Sequence, residues 1–228
     1  DFGNAQKEHQ KLRAVTDMLE PGSVFKLVTA AAAIENGLVS PERKFFAENG
    51  IYKVYMPGQK TPRVIKDVHP YGYLSFRESI EYSSNIVMVK ISDIIGNERL
   101  YTMARDFGFG TKSGIDVPAE IGGRLFKPMQ WSAPTRHSLS YGYEVGVTAV
   151  QIAAAYAAVA NGGVLMRPFI LKKELDAAGN VVRETAPAPV RRVVSEETAS
   201  TLTSFLEGVV ERGTATSAKI AGIRIAGK

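Results

Sequence analysis

Cysteine is absent from this chain of 228 residues, and histidine occurs only three times. The lack of cysteine excludes a disulfide framework and a thiol nucleophile, and it suits an oxidising compartment. His9, His69 and His137 lie far apart in the sequence and lack the short ligand spacing of a zinc site. We therefore expect no metal and no other cofactor.

Long hydrophobic runs are also missing. The longest, over residues 27–34 and 147–160, are shorter than the roughly 20 apolar residues that a helix needs to cross a bilayer. No charged-then-apolar leader opens the chain. With 45% hydrophobic and 22% charged residues, the chain is long enough for one substantial core. The composition predicts a globular domain.

The net charge of +5 raises the question of nucleic acid. Basic pairs such as Lys172-Lys173 and Arg191-Arg192 are isolated, and the other basic residues are interleaved with acidic ones, so they form no basic stripe. We therefore expect no nucleic-acid binding. A weak attraction to anionic wall polymers or lipid head groups fits this charge better.

The most informative feature present is a serine three residues before a lysine, Ser23 and Lys26, at the start of an alanine-rich apolar helix. Residues three apart share a helix face, so the Lys26 amine can take the Ser23 hydroxyl proton if burial lowers its pKa from about 10.4. The Ser23 amide, at the helix start, can donate to an oxyanion. The alternative is an N-cap serine beside a solvated lysine, because chance gives about one Ser-x-x-Lys in such a chain.

A second polar cluster, Ser83-Ser84-Asn85, precedes an apolar run. Its hydroxyl and amide groups can relay a proton to a leaving group and hydrogen-bond a substrate or the lysine. The alternative is an N-cap box. Residues 224–228 predict the start of a strand that ends on a lysine, Lys228.

The order Ser-x-x-Lys, then Ser-x-Asn about 60 residues later, then a lysine about 200 residues later, is similar to that of the penicillin-recognising serine transferases and hydrolases. The chain resembles the transpeptidase domain of class B penicillin-binding proteins and, among these, the cell-division (FtsI-type) members. The resemblance covers nearly the whole chain. Further stretches that support it are Ala14-Val15-Thr16-Asp17 before Glu20-Pro21-Gly22-Ser23, Ile65-Lys66-Asp67-Val68-His69-Pro70, and Ser140-Tyr141-Gly142-Tyr143-Glu144-Val145 before Thr148-Ala149-Val150-Gln151.

The resemblance implies a role for each motif residue. Ser23 would be the acylated nucleophile and Lys26 the base that deprotonates it. Ser83 would return the proton to the leaving D-alanine. Asn85 would hydrogen-bond the donor peptide and Lys26. Lys228 would lie by Ser83 and contribute positive charge toward the substrate carboxylate.

Two tyrosines are weaker candidates for substrate binding. Tyr141 and Tyr143 alternate on a glycine-containing loop, and the resemblance implies that they line the cleft as aromatic walls. Two ordinary core aromatics are the alternative. Glu20 lies close to Ser23 in the sequence, where a solvent-facing carboxylate explains it equally well.

The fold implied by the resemblance is the α/β penicillin-binding-protein and serine β-lactamase-like transpeptidase fold, in which helices pack on a central sheet. In that fold the first strands precede the serine helix, and the last strands begin at a Lys-Thr-Gly sequence, of which only Lys228 occurs here. We therefore expect residues 1–228 to be a fragment of the transpeptidase domain, mainly its helical subdomain with β-ribbons. The membrane anchor, the pedestal and the strands after Lys228 would be absent.

Periodicity and capping signals predict the secondary structure. Helices are expected over residues 23–35, 76–95, 97–106, 148–160 and 196–212. Strand pairs are expected around residues 51–55, which run into a Pro-Gly turn, and over 169–175 with 181–184. Thr148 with Gln151 predicts a capping box. Residues 108–147 predict a long loop that begins with a turn rather than a phosphate loop, and Pro187 and Pro189 predict another connection.

Three functions stay open at this point. The favoured one is a D,D-transpeptidase that cross-links stem peptides ending in D-Ala-D-Ala during septal wall synthesis, and that β-lactams acylate on the same serine. The resemblance implies the extracytoplasmic side of the inner membrane of a bacterial envelope, with a cell-division glycosyltransferase and divisome proteins as partners. The alternatives are a β-lactam-binding sensor domain and an incomplete divisome scaffold. A β-lactamase is disfavoured because no deacylating glutamate is evident.

Overall fold

A computed structural model describes residues 2–4, 6, 10–56, 58 and 60–228. Its helices in this part of the chain are α1 (Arg13–Thr16), α2 (Lys26–Glu35), α3 (Phe76–Glu81), α4 (Asn85–Ile95), α5 (Asn97–Asp106), α6 (Thr135–Ser140), α7 (Ala149–Ala160) and α8 (Glu196–Glu211). Its strands there are β1 (Lys44–Phe46), β2 (Ile51–Val54), β3 (Arg63–Lys66), β4 (Tyr73–Ser75), β5 (Val164–Met166), β6 (Lys173–Leu175), β7 (Val181–Glu184) and β8 (Pro189–Arg192).

The strands of the described residues form separate two-stranded antiparallel ribbons, which are β1 with β4, β2 with β3, β5 with β8, and β6 with β7. In the β2–β3 ribbon, Tyr52 lies opposite Ile65, and β3 packs against α4. Ile65 is buried on that side together with Ile86 and Val89 of α4. The structure thus has the expected character of a helical subdomain with β-ribbons.

Helix α2 lies at the centre of the hydrophobic core. It packs against α4, α5, α6 and α8, and residues 26–33 are all buried. Residues 30–33 are four alanines, whose short side chains let the neighbouring helices approach closely. The helix that follows Ser23 is therefore enclosed on several sides, and the start of α2 is a rigid platform.

Several predicted elements are confirmed. Helix α5 has the predicted bounds, and α7 and α8 begin and end within one residue of theirs. The capping box of α7 is present, because Thr148 Oγ1 accepts from Gln151 N and Gln151 Oε1 accepts from Thr148 N. Both predicted strand pairs form, but β6 covers only Lys173–Leu175 of the predicted 169–175. Pro57 of the predicted Pro-Gly turn lies outside the described residues. None of the helices in the described ranges is both long and apolar enough to span a membrane.

The predicted single helix over residues 76–95 is in fact two helices. Helix α3 ends at Glu81 and α4 begins at Asn85. Ser84 is the N-cap of α4, with its Oγ accepting from Val87 N at 3.1 Å, and Ser83 adopts a positive φ of 62°. A left-handed residue cannot continue a right-handed helix, so the polar triplet ends one helix and starts the next.

Other predictions were wrong in detail. The predicted loop over residues 108–147 contains the short helix α6, and Pro189 begins β8, which is a position that an edge strand tolerates. Residues 224–228 form no strand within the described chain. Their polar groups bind helices instead, since Gly227 N donates to Leu206 O and Lys228 Nζ donates to Ile80 O.

Glu81, the last residue of α3, is fully buried and forms an ion pair with Arg212 at the end of α8. Arg212 Nε and Nη2 donate to its two carboxylate oxygens at 2.9 and 2.5 Å. Glycine at two neighbouring positions leaves room for this side chain and its backbone. A Cβ on Gly208 would lie 2.2 Å from Glu81 Oε1, and one on Gly213 would lie 2.3 Å from Glu81 O. The pair fastens α8 to α3 next to the Ser83 turn.

We expect the substitution Gly208→Ala to destabilise the protein, although alanine is the better helix former by about 1 kcal/mol. The new Cβ would press on a carboxylate that Arg212 holds in place, and such overpacking costs about 1–3 kcal/mol. Thermal unfolding should give a lower Tm, by about 2–4 °C for each kcal/mol lost. Gly72→Ala is the control, because its Cβ would meet nothing within 4 Å. An unchanged or higher Tm for Gly208→Ala would mean that Glu81 moves aside freely.

Candidate active site

Ser23 lies on a 3-10 turn, Gly22–Phe25, that leads directly into α2. The turn follows Pro21, and Gly22 takes a positive φ of 57°, which glycine adopts at little cost. The α-helix starts at Lys26 rather than at Ser23. Ser23 is exposed at the surface while the helix after it is buried. Its hydroxyl is therefore open to a reactant at the edge of the core.

Two contacts from distant parts of the chain hold this turn. Gly22 N donates to Gly142 O at 3.0 Å, and Tyr156 Oη of α7 donates to Val24 O at 2.9 Å. Burial raises the pKa of Tyr156, so this phenol keeps its proton and continues to donate at neutral pH. The backbone on both sides of Ser23 is thus fixed.

Lys26, the first residue of α2, is completely buried. Its Nζ donates to Ser83 O at 2.6 Å and to Ser83 Oγ at 3.0 Å. Burial, and then repulsion by Lys228, lower the pKa of Lys26 from 10.5 to about 7, while attraction to Asp67 partly opposes this. A lysine with such a pKa is neutral in a large fraction of molecules at neutral pH and can act as a base.

Ser83 links the lysine to the exposed serine. Its Oγ donates to Ser23 Oγ at 3.1 Å and accepts from Lys26 Nζ, so the three side chains form one hydrogen-bonded chain. Among the described residues, Lys26 binds Ser83 and makes no direct hydrogen bond with Ser23. The left-handed backbone of Ser83, with φ 62°, costs a non-glycine residue on the order of 1 kcal/mol and must be held by its surroundings.

Asn85, the first residue of α4, does not form the expected hydrogen bond with Lys26 in the described part of the chain. Its Nδ2 instead donates to Lys66 O at 2.9 Å, while the amine of Lys26 is directed to Ser83. No hydrogen bond from a described residue reaches the amide oxygen of Asn85. This oxygen is therefore the part of the side chain that a bound peptide N–H group can use.

Lys228 lies in the neighbourhood of these residues, although not on a strand. Its Nζ donates to Ile80 O at 2.6 Å, three residues before Ser83. Burial lowers the pKa of Lys228 from 10.5 to about 8. It is near enough to Lys26 for their repulsion to affect the Lys26 pKa, so two lysines of low pKa flank the Ser83 turn.

The loop with the two tyrosines lies against the Ser23 turn. Gly142 is packed so closely there that a Cβ would lie 2.0 Å from Gly22 O. The rings of Tyr141 and Tyr143 have centroids 5.5 Å apart with an angle of 63° between their planes. Tyr141 is partly buried, whereas Tyr143 is 48% exposed. Tyr141 thus packs partly against the core, whereas Tyr143 offers the more open surface of the two.

Glu20 proves to be more than a solvated carboxylate. Its Oε1 accepts from the backbone N–H group of Glu144 at 2.9 Å. Because Glu144 has a positive φ of 59°, this bond stabilises a strained turn just after Tyr143. Glu20 thus joins the segment before Ser23 to the tyrosine loop.

Two residues that contact this site, one in β3 and one just after it, have no role in the sequence analysis. Arg63 donates to Tyr141 Oη at 3.0 Å and to Ser138 Oγ at 2.8 Å. Asp67 accepts from the backbone at the start of α4. Asp67 belongs to one of the stretches that resemble the penicillin-binding proteins, but no spacing or periodicity shows which distant helix it meets.

The residues that the structure describes contain no group of three or more histidine, aspartate or glutamate side chains placed to hold an ion. His137 forms a hydrogen bond with Asp93 at 2.8 Å, His69 is exposed, and His9 lies outside the described residues.

Residues 2–228 match the family model for the penicillin binding protein transpeptidase domain. Penicillin-binding protein PbpB of Mycolicibacterium smegmatis is 35% identical over 237 residues, covering 100% of this chain and 35% of that protein. Stage V sporulation protein D of Bacillus subtilis is 36% identical over 211 residues, covering 92% of this chain and 32% of that protein. Peptidoglycan D,D-transpeptidase FtsI of Escherichia coli is 28% identical over 227 residues, covering 99% of this chain and 35% of that protein. The chain spans about a third of the length of these curated relatives.

Solved structures give the same similarity. The transpeptidase domain of Burkholderia pseudomallei penicillin-binding protein 3 is 31% identical with a TM-score of 0.83, covering 96% of this chain and 62% of that one. Penicillin-binding protein 3 of Mycobacterium tuberculosis, in its complex with aztreonam, is 32% identical with a TM-score of 0.81, covering 94% of this chain and 50% of that one.

Proposed function

Because this chain belongs to the family of penicillin-binding protein transpeptidase domains and has their fold, we propose that it is the acyl-serine part of a peptidoglycan D,D-transpeptidase and a target of β-lactams. The observation that carries this proposal is the hydrogen-bonded chain from Lys26 through Ser83 to Ser23. Its two hydrogen bonds join the two sequence motifs, because Ser83 lies 57 residues after Lys26 and 60 residues after Ser23. It gives an exposed hydroxyl a path to a buried base.

In the proposed acylation step, Ser23 Oγ attacks the carbonyl carbon of the penultimate D-alanine of a stem peptide. The hydroxyl proton moves to Ser83 Oγ as Ser83 passes its own proton to neutral Lys26. The Ser23 amide, at the start of a helical segment, donates to the oxyanion that develops. The tetrahedral intermediate then loses the terminal D-alanine, whose amine takes a proton from Ser83, and Lys26 restores that proton.

In the second step an amine from another strand attacks the ester carbonyl, and the ester bond to Ser23 Oγ breaks. The proton of the amine returns to Ser23 through the same path, so the three side chains finish as they began. A β-lactam follows the first step only. Its ring C–N bond opens on Ser23, and the nitrogen stays tethered to the acyl group, so no leaving group departs to admit the acceptor.

The names of related proteins support the substrate class. PenA of Neisseria gonorrhoeae is named a probable peptidoglycan D,D-transpeptidase, and FtsI of Escherichia coli is named a peptidoglycan D,D-transpeptidase. A structure of Mycobacterium tuberculosis penicillin-binding protein 3 is a complex with ampicillin. Peptidoglycan substrates lie outside the cytoplasmic membrane, so the proposal places the protein in the bacterial cell envelope. A cell-division role, a membrane anchor and divisome partners are the finer part of this proposal, and they rest on the resemblance to FtsI-type members.

The test uses the full-length protein with a fluorescent penicillin. We expect stoichiometric covalent label by intact mass, and peptide mapping should place it on Ser23. A stem peptide ending in D-Ala-D-Ala, supplied with an amine acceptor, should then give the cross-linked product and free D-alanine. Label without peptide turnover would favour a β-lactam sensor instead. A folded protein that takes no label would exclude both functions and leave a scaffold.

A further inference from the structure

The carboxylate of Asp67 meets the first turn of α4 from outside the helix. Asp67 follows β3, and its Oδ1 accepts from Asn85 N at 2.6 Å and from Ile86 N at 3.1 Å. Its Oδ2 accepts from Ser84 Oγ at 2.5 Å. Ser84 Oγ in turn accepts from Val87 N. The first three amide groups of α4, which a helix leaves without intrahelical partners, are thus bound by these two side chains.

This contact fixes one side of the strained Ser83 turn. On the α3 side, Ser83 N donates to Ile80 O at 3.2 Å and Ser84 N donates to Ser79 O at 2.9 Å. On the α4 side, the backbone is held by Asp67. A non-glycine residue in a sparsely populated backbone region persists where the surrounding structure over-determines it. The orientation of Ser83 Oγ between the lysine and the nucleophile therefore depends on both sets of bonds.

We propose that Asp67 is a positioning residue of this site, whose carboxylate fixes the start of α4 and thereby holds Ser83 in the turn that connects Lys26 with Ser23. The inference rests on the proposed acyl-serine function. Asp67 touches neither a reactant nor the reacting atoms in this arrangement. It acts through the two residues that follow Ser83, and it shares the ribbon segment with Lys66, whose carbonyl orients the amide of Asn85.

Asp67 has a second effect that a neutral helix cap would lack. The charged groups that act on Lys26 are Lys228, which lowers its pKa, and Asp67, which raises it. Removing the carboxylate charge should therefore make Lys26 lose its proton at lower pH. A loss of positioning and a shift of the base in this direction together form a signature that simple destabilisation does not produce.

The test compares Asp67→Asn and Asp67→Ala in the full-length protein, by the rate constant of acylation with a saturating fluorescent penicillin between pH 5.5 and 9. Asparagine keeps an acceptor oxygen for Asn85 N and Ile86 N but lacks the charge, whereas alanine lacks both. We expect the plateau rate constant to fall about 10-fold for asparagine and about 100-fold for alanine. Loss of a hydrogen bond to a charged group lowers a rate constant by about 10-fold or more, and alanine loses more of these bonds than asparagine. The rise of the rate with pH should shift to lower pH in both.

Asp116→Asn is the matched control. Its carboxylate also accepts from backbone amides, those of Ile170 and Leu171 at 3.0 and 3.4 Å, but it takes no part in the site. This control should keep the wild-type rate constant. If Asp67→Asn lowers only the fraction of protein that takes label, with the rate constant and its pH dependence unchanged, Asp67 is merely structural and the inference fails. If the wild-type protein itself takes no label, the proposed acyl-serine function is wrong, and the role of Asp67 that rests on it fails with it.

Discussion

A Ser23→Ala variant is expected to take no covalent label from a fluorescent penicillin under conditions in which the wild-type protein is labelled stoichiometrically. Acylation needs an oxygen that can form an ester, and the alanine side chain has none. The change removes one exposed atom at the surface, so folding should be preserved. The effect should therefore be complete loss of label at an unchanged Tm. Gel fluorescence and intact mass after the same incubation measure it.

Two further variants make this result specific. Ser200→Ala removes another exposed serine, on α8, and should be labelled like the wild type. Ser83→Ala keeps the nucleophile but breaks the path to Lys26, so it should still reach full label, at a rate lower by about 10²-fold or more. Full label on Ser23→Ala, mapped to another residue, would contradict the assignment of the nucleophile.

The sequence was sufficient where a local signal determines the structure. Helix α7 follows its capping box, and α8 follows the N-cap Ser195, whose Oγ accepts from Thr198 N at 3.1 Å. The placement of Ser23 and Lys26 on one continuous helical segment is equally local, although the hydrogen bonds that link them run through the distant Ser83. Such features depend on residues three or four apart, and their geometry is fixed by the helix itself.

The polar triplet shows where local signals become ambiguous. Hydrophobic periodicity on both sides of Ser83 is compatible with one long helix, because three polar residues do not interrupt a pattern of that length. What breaks the helix is tertiary, namely the binding of Asp67 to the amides that a continuous helix would use internally. The N-cap alternative for this triplet is confirmed, since Ser84 Oγ accepts from Val87 N. The contact with Asp67 could not be derived without knowing that β3 packs against α4.

The orientation of single side chains was the least predictable level. The implied hydrogen bond between Asn85 and Lys26 is not formed among the described residues, because the amine of Lys26 donates to Ser83 O and Ser83 Oγ instead. Lys228 was expected on a strand, yet the carbonyl of Ile80 holds its amine while the backbone has no strand partner in the described chain. Both outcomes depend on competition among several acceptors, which a sequence does not rank.

The second large effect is expected at Lys26. Replacing it with methionine should lower the acylation rate constant about 10²- to 10⁴-fold, the usual contribution of a positioned general base. Methionine fills a similar apolar space but cannot accept the proton that Ser83 passes on. Lys90→Met is the control. Lys90 lies on α4, and its amine donates to Phe46 O and Glu48 Oε1 rather than to either serine. The rate constant of Lys90→Met should therefore stay near the wild-type value.

The pH dependence follows from the pKa of Lys26, which is about 7 in the folded protein. The base must be neutral, so the wild-type rate constant should rise with pH through about 7 and then level off. Lys26→Met should lack this rise. A wild-type rate that is independent of pH between 5.5 and 8.5 would mean that Lys26 is not the group that accepts the proton.

Stability provides a readout of the same group that does not depend on activity. The unfolded chain binds a proton on this lysine up to its ordinary pKa of 10.5, whereas the folded chain releases that proton near pH 7. Between these values the unfolded state holds more protons, so this group makes the free energy of unfolding increase as pH rises. Below pH 7 the folded protein must keep a buried ammonium, which is unfavourable.

The measurement is the difference in Tm, Lys26→Met minus wild type, as a function of pH. This difference should have its highest value near pH 6 and decrease steadily toward pH 9, because only the wild type gains stability as pH rises. A difference in Tm that does not change with pH would show that the buried lysine keeps its ordinary pKa, and a base with that pKa would be almost entirely protonated at pH 7.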